Sequence, residues 1–329
     1  MKEFIITKSD EGRRFDKYVM GVLSNAPSSF TYKMIRKKNI VLNDTKASGS
    51  EMLRAGDHVR FYLSDDTFDR FSKRKTAQTD LTALMPPVIY EDEDIMIVNK
   101  PAGMLTQKSS AEDISLNEIC LSHSTIKNEN DPNGRSFTPS VCNRLDRNTS
   151  GLVTFAKTYR GAKYLSCAFH DRTVGKFYKC IVSGIIEKDF ELTGSLIKDE
   201  KTNTVRVMTD EDAGMKIVTR IHPLKTTDDL SLLEIELITG KTHQIRAHLA
   251  SLGHPIIGDG KYGDNKTNSI YRKAYGIKNQ MLVCYRMVFP DDQTLGNISG
   301  KVITIDAPDD FYKVMNGNME FTGSSGFNA

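Results

Sequence analysis

No stretch of this 329-residue chain approaches the roughly 20 consecutive apolar residues that a membrane-spanning helix needs. The start, Met1-Lys2-Glu3-Phe4-Ile5-Ile6-Thr7, lacks the long apolar core of a signal peptide. Neither a membrane protein nor a secreted one is expected, and the cytoplasm is the expected location. Cysteine is sparse: five residues, at 120, 142, 167, 180 and 284, with no C-x-x-C spacing. An odd, scattered set argues against a disulfide framework and a zinc knuckle, and for buried thiols. The chain has no internal repeat. Net charge is only +3, yet it is unevenly spread: residues 1–80 hold 16 Lys and Arg against 11 Asp and Glu, and residues 81–329 hold 29 against 31. A basic first quarter fits a polyanion-binding module.

What is present is ordinary for a water-soluble protein, with 39% hydrophobic and 26% charged residues. The length suits one large domain and a smaller one. Residues 1–64 read as the small one, an α/β unit. Phe15, Val19, Val22 and Leu23 fall at helical spacing. A second helix, capped by Ser28 or Ser29, runs through about Lys38 and carries Lys33, Arg36, Lys37 and Lys38 away from its apolar face. Four cations in six positions suit the helix dipole, and they also suit RNA phosphates. Residues 65–86 are polar, end in Pro86-Pro87, and read as a linker. Residues 87–312 are strand-dominated, with runs at 88–90, 95–98, 152–156, 177–182, 230–238, 281–289 and 302–305. Helices are expected at 159–170 and 243–252. The fold class is therefore α+β, with a central mixed, mainly antiparallel sheet flanked by helices and loops. Residues 122–140 read as a long surface loop, and 313–329 as a flexible tail.

Chemistry concentrates in three segments. In Asn143-Arg144-Leu145-Asp146-Arg147-Asn148-Thr149-Ser150-Gly151 a polar turn runs into an apolar strand, and two arginines flank Asp146. Nearby cations favour the ionised form of a carboxylate, which serves as nucleophile or base. Most aspartates in such loops merely make surface ion pairs, so spacing alone leaves both readings open. In Thr239-Gly240-Lys241-Thr242-His243-Gln244-Ile245-Arg246 a strand gives way to a helix. Arg246 lies one turn in, where its guanidinium fork suits a bidentate hold on Asp146. In Lys176-Phe177-Tyr178-Lys179-Cys180 the alternation is that of a half-buried strand. Tyr178 is either ordinary strand packing or a ring for stacking on a base and a hydroxyl for moving a proton.

Two patterns mislead. Gly258-x-Gly260-x-x-Gly263 matches the dinucleotide fingerprint, but no long strand precedes it and polar Asp264-Asn265-Lys266 follows, so a Rossmann site is rejected. His243, His248 and His254 fit no zinc-ligand spacing, so no metal is expected.

Taken in order, these segments resemble the RluA type of pseudouridine synthases, with large-subunit ribosomal RNA as the main substrate of that family. The matching blocks are Arg144-Leu145-Asp146-x-x-Thr149-Ser150-Gly151, Thr239-Gly240-x-Thr242-His243-Gln244-Ile245-Arg246, Tyr90 to Met104, and Gln280-Met281-Leu282. The first unit resembles the small RNA-binding domain of ribosomal small-subunit protein four, through residues 12–17, 35–43 and 53–59. The resemblance implies the pseudouridine synthase fold, ribosomal RNA as partner and neither cofactor nor nucleotide. Monomer is the default expectation. The resemblance implies Asp146 as the essential carboxylate, Arg246 as its partner, Tyr178 stacking on the uracil and helping to remove the proton from carbon 5, Arg144 in the space left by the flipped uridine, and Leu282 packing on the site. Lys241 and His243 are expected to contact RNA. Attack on carbon 6 of uracil, attack on the sugar, and a glycal route all remain compatible with the sequence. Asn143 and Val283 stand where many members have His, and Lys241 where Arg is frequent, losing its planar fork. A non-catalytic RNA-binding factor would be marked by a lost carboxylate or tyrosine. An RNA methyltransferase would need a glycine-rich cofactor loop after an early strand.

Overall fold

The structure, a computed structural model, describes residues 1–72, 80–127, 136–199, 204–208 and 214–317. The chain divides into two compact units. One comprises residues 1–98, 106–144 and 153–169, and the other residues 99–105, 145–152 and 170–329.

The first unit opens with β1 (Lys2–Ile5), α1 (Phe15–Val22), α2 (Ser28–Arg36), β2 (Ile40–Leu42), β3 (His58–Phe61) and α3 (Asp65–Ser72). The three strands form an antiparallel sheet in the order β1-β3-β2. The helical spacing read from Phe15 onward does bury Phe15, Tyr18, Val19 and Val22. They share a core with Ile35, Ile40, Val59, Phe61 and Phe68. Each such side chain removed from water contributes about 1.5–3 kcal/mol. Two details differ from the sequence reading. α2 has no serine cap: Ser28 is its first residue, and Pro27 precedes it with φ −58°. The polar stretch after residue 64 is helical through Ser72, because Phe68 reaches the core and Phe71 packs against it. Residues 73–79 of the expected linker lie outside the described residues.

The unit continues through β4 (Val88–Glu91), β5 (Ile95–Lys100), α4 (Leu116–Lys127), β6 (Ser140–Val141), β7 (Ser150–Ala156) and α5 (Tyr159–His170). The start of the expected loop over 122–140 is instead the end of α4, and residues 128–135 of it are not described. Within this unit α1 lies close to the Ser136 segment. A Cβ on Gly21 would fall 1.8 Å from the Ser136 carbonyl oxygen, so only glycine fits. The buried Arg13 donates to that same carbonyl at 2.7 Å.

The second unit holds β8 (Gly175–Ser183), β9 (Phe190–Asp199), β10 (Thr204–Met208), β11 (Met215–Thr226), β12 (Leu230–Leu237), α6 (Gln244–Ser251), α7 (Asn265–Tyr275), β13 (Leu282–Val288), β14 (Val302–Thr304) and α8 (Asp309–Met315). Its strands run in the order β10-β9-β11-β12-β8-β13, all antiparallel, with β14 on β13. Residues 150–152 at the start of β7 belong to this unit, and Ser150 and Gly151 pair in parallel with Val283 and Cys284 of β13. The class is α+β, with a mixed and mainly antiparallel sheet. Of the expected tail, residues 313–315 belong to α8, and residues 318–329 lie outside the described residues.

Candidate active site

Asp146 sits in the loop that enters β7, and its backbone is fixed from several sides. The Thr149 amide donates to the Asp146 carbonyl at 3.0 Å. Gln280 Nε2 donates to Thr149 Oγ1 at 2.8 Å. Gly151 then brings the chain against β13: at φ +117°, a Cβ there would meet the Cys284 carbonyl oxygen at 2.3 Å. The fully buried Lys100 donates from Nζ to the carbonyls of Pro101, Met104 and Arg147, at 3.0, 2.8 and 3.1 Å. One ammonium thus ties the Asp146 loop to the segment after β5. Burial lowers the Lys100 pKa to about 8, with the charge of Asp146 opposing the shift.

The second strand-to-helix segment supplies the cation. Thr239 Oγ1 donates to Gln244 Oε1 at 2.8 Å, and the Lys241 amide donates to the same oxygen at 3.1 Å. Gln244 Nε2 reaches β11 at Val218 O and Thr219 Oγ1. His243 precedes α6 in the left-handed region, with φ 54° and ψ 17°. Arg246, one turn in, donates from Nη1 to Asp146 Oδ2 at 2.8 Å. The sequence reading expected the fork to close on Asp146, and it does not: only Nη1 reaches that carboxylate. Nε and Nη2 go to Asp259 Oδ2 and Oδ1, at 2.7 and 2.8 Å.

Asp259 was missed by sequence reasoning, and it is fully buried. It lies within the Gly258-x-Gly260-x-x-Gly263 stretch. The stretch is not a nucleotide loop but a turn that delivers a carboxylate. Asp259 Oδ1 also accepts the amides of Lys261 and Tyr262, at 2.8 and 3.1 Å. Burial alone would raise its pKa, but the hydrogen bonds and charge of Arg246 with those amides hold it below the usual carboxylate value. Burial likewise works to lower the Arg246 pKa, and the two carboxylates raise it.

Tyr262 is the second missed residue. Its ring lies 5.1 Å from the Arg246 guanidinium carbon. Its hydroxyl accepts the Val205 amide at 2.8 Å and lies 3.0 Å from His243 Nδ1. His243 Nε2 faces Asp146 Oδ2 at 3.9 Å. Tyr178, on β8 opposite Cys284, is buried. Burial first, then Cys284 and the charge of Asp146, raise its pKa well above the ordinary value.

The second unit therefore brings together Asp146, Arg246, His243 and Tyr178. Leu282 is buried at the start of β13, two residues before Cys284. Lys241 is half-buried and is not among the contacts of Asp146. Arg144 is exposed and belongs to the first unit, as do the exposed Lys33, Arg36, Lys37 and Lys38 at the end of α2. Asn143 has a structural use, since its Oδ1 accepts the Thr154 amide and hydroxyl at 2.7 and 2.9 Å. Val283 is buried in β13 beside Ser150. Among the described residues, no group of three or more His, Cys, Asp or Glu could hold a metal ion, and no helix is long and apolar enough to cross a membrane.

A family model described as RNA pseudouridylate synthase matches residues 94–251. An RNA pseudouridine synthase of Mycoplasma genitalium, itself described as uncharacterized, is 30% identical over 300 residues, covering 89% of this chain and 90% of that one. The chain belongs to the RNA pseudouridine synthase family. It is accordingly an isomerase, of the RluA type. The ribosomal large subunit pseudouridine synthase C of Vibrio parahaemolyticus is 30% identical to this synthase over 275 residues, 82% of each chain. Among solved structures, human RNA pseudouridylate synthase domain containing 4 shares its fold, with a TM-score of 0.55 and 18% identity over 72% of this chain and 94% of that one.

Proposed function

We propose that this synthase converts specific uridines of large-subunit ribosomal RNA to pseudouridine, in the cytoplasm, with Asp146 acting on a uridine turned out of the RNA. The observation that carries the reading is the asymmetry of the Asp146 carboxylate. Oδ2 is held by Arg246, and its side chain keeps 27% of its surface accessible, against 6% for Arg246 and none for Asp259. Oδ1 is left for the substrate. The name of the Vibrio relative supports the choice of RNA.

The reaction breaks the bond between uracil N1 and the sugar C1′, turns the base, and joins C1′ to C5. C5 loses a proton and N1 ends protonated, so the step is an isomerisation without net oxidation. A base inside a folded RNA is out of reach of Asp146, and turning it out costs a few kcal/mol. Stacking on an aromatic ring offsets about 1–3 kcal/mol of that, which gives Tyr178 its place in the reading. Burial raises the Tyr178 phenol well above its ordinary pKa, which disfavours a phenolate base and suits a packing ring. Arg144, exposed two residues before Asp146, is the side chain available to fill the vacated stack.

The test is Asp146→Asn, followed by pseudouridine mapping of total RNA from cells carrying only the variant. The large-subunit sites modified by the wild type are expected to revert to uridine, with RNA affinity within a few-fold of normal. Continued modification at those sites would remove Asp146 from the mechanism.

A further inference from the structure

We propose that Tyr262 sets the tautomer of His243 so that the imidazole presents an N–H to Oδ2 of Asp146, making His243 a positioning residue for the isomerisation. The inference rests on the reading of Asp146 as the acting carboxylate. The Tyr262 oxygen already accepts the Val205 amide at 2.8 Å. A phenol has one hydrogen to give, and His243 Nδ1 stands 3.0 Å away. An unprotonated Nδ1 accepts that hydrogen, which leaves the one ring N–H on Nε2. The opposite tautomer would aim two N–H groups at the phenol oxygen and turn its own hydrogen away.

The ring is held for this purpose. It meets the Tyr262 ring edge-on, with centroids 5.6 Å apart and planes at 74°. Its backbone occupies the left-handed region, a conformation that gathers at functional sites when a non-glycine residue adopts it. Nε2 lies 3.9 Å from Asp146 Oδ2, just beyond hydrogen-bond reach. Such contacts are commonly long without substrate and tighten when it binds. Arg246 Nη1 addresses the same oxygen. Two donors on Oδ2 make Oδ1 the reacting oxygen. Burial favours the uncharged imidazole, as do the charges of Arg246 and Lys261, while Asp146 and Asp259 work the other way. A neutral donor orients the carboxylate without neutralising it.

The test is a double-mutant cycle on kcat, read beside KM for RNA. Tyr262→Phe keeps the ring under Arg246 and removes the hydroxyl. It is expected to lower kcat about tenfold to a hundredfold, the range for a hydrogen bond to a charged group, with KM within a few-fold. His243→Leu is expected to lose a similar factor, and His243→Gln, whose amide N–H reaches the Nε2 position, to recover most of it. In the His243→Leu background Tyr262→Phe is expected to add nothing. An equal loss in both backgrounds would mean that Tyr262 acts structurally, and would overturn the proposal. Nitrogen-15 NMR of histidine-labelled wild-type protein gives a measurement that no misfolded variant can spoil. It is expected to show a protonated Nε2 and an acceptor Nδ1 for His243, and the reverse assignment also overturns the proposal. Turnover by Asp146→Asn would instead sink the reading beneath it, so the two failures are separable.

Discussion

Arg246 shows how one guanidinium serves two carboxylates of unequal standing. Asp259 receives two of its nitrogens in a buried, bidentate pair, and Asp146 receives one. Asp259 has no accessible surface and accepts two backbone amides besides. It therefore fixes the plane of the fork, and Nη1 is left pointing at Asp146. Removing one member of a buried pair strands the charge of the other and costs about 3–5 kcal/mol. Asp259→Asn is expected to lower the unfolding free energy by an amount of that order, read as a lower urea midpoint at unchanged slope, and to slow turnover more than it weakens RNA binding. An unchanged midpoint would show that the pair carries no net stability. The sequence allowed Asp146 and Arg246 to be paired because both lie in dense, characteristic blocks. It did not disclose Asp259: with the glycine pattern around it rejected as a nucleotide loop, nothing in the spacing marked that carboxylate as a partner of Arg246. Glycine there serves packing instead: a Cβ on Gly258 would strike the Asn279 carbonyl oxygen at 2.2 Å, and one on Gly263 the Asp259 carbonyl oxygen at 2.3 Å.

At the scale of elements, the apolar strands were the legible ones. β7, β8, β12 and β13 carry continuous or cleanly alternating apolar residues, and helix α5 spans the expected 159–170. β9, β10 and β11 were not read. β11 buries only Ile217, Thr219 and Ile221 on one face and leaves most of its length exposed, so its pattern is mostly polar and Pro223 interrupts it. Those strands nonetheless carry the face on which α6 rests. His248 of α6 is buried there, with Nδ1 against Thr219 Oγ1 at 2.9 Å and no partner for Nε2 among the described residues. Burial lowers its pKa from the ordinary 6.5 to about 4. Between those values the unfolded chain binds a proton that the folded protein refuses, so stability falls as pH drops through that window. The loss amounts to about 2 kcal/mol between pH 7 and pH 5. His248→Asn, whose amide reaches the Nδ1 position, keeps a polar partner for Thr219 and removes the titration. Its unfolding free energy is expected to fall by about that much less than the wild type's over the same interval. Parallel curves for the two proteins would show that His248 does not titrate in the way its burial implies.

For the molecule as a whole, the proposed division of labour is between a basic first unit that grips RNA and a second unit that holds the carboxylate. Deleting the first 64 residues is a poor test of it. Within the first unit the Ser136 carbonyl presses on Gly21 and accepts from Arg13, whose guanidinium lies 5.3 Å from the Tyr159 ring centroid. Truncation would expose that surface and destabilise the rest of the unit, so any loss of binding would be ambiguous. Lys33, Arg36, Lys37 and Lys38 are exposed, and substitutions at such sites usually change stability by no more than about 0.5 kcal/mol each. Replacing all four by Gln tests charge alone. Each cation that neutralises a phosphate releases counterions and adds about 0.7–0.9 to the slope of log affinity against log salt. If all four touch RNA, the variant is expected to bind ribosomal RNA fragments more weakly at low salt. Its slope should be shallower by about 3, and the two binding curves should converge as salt rises. Unchanged slope and affinity would assign the cluster to an ordinary solvated helix end, where the same four charges simply complement the dipole of α2.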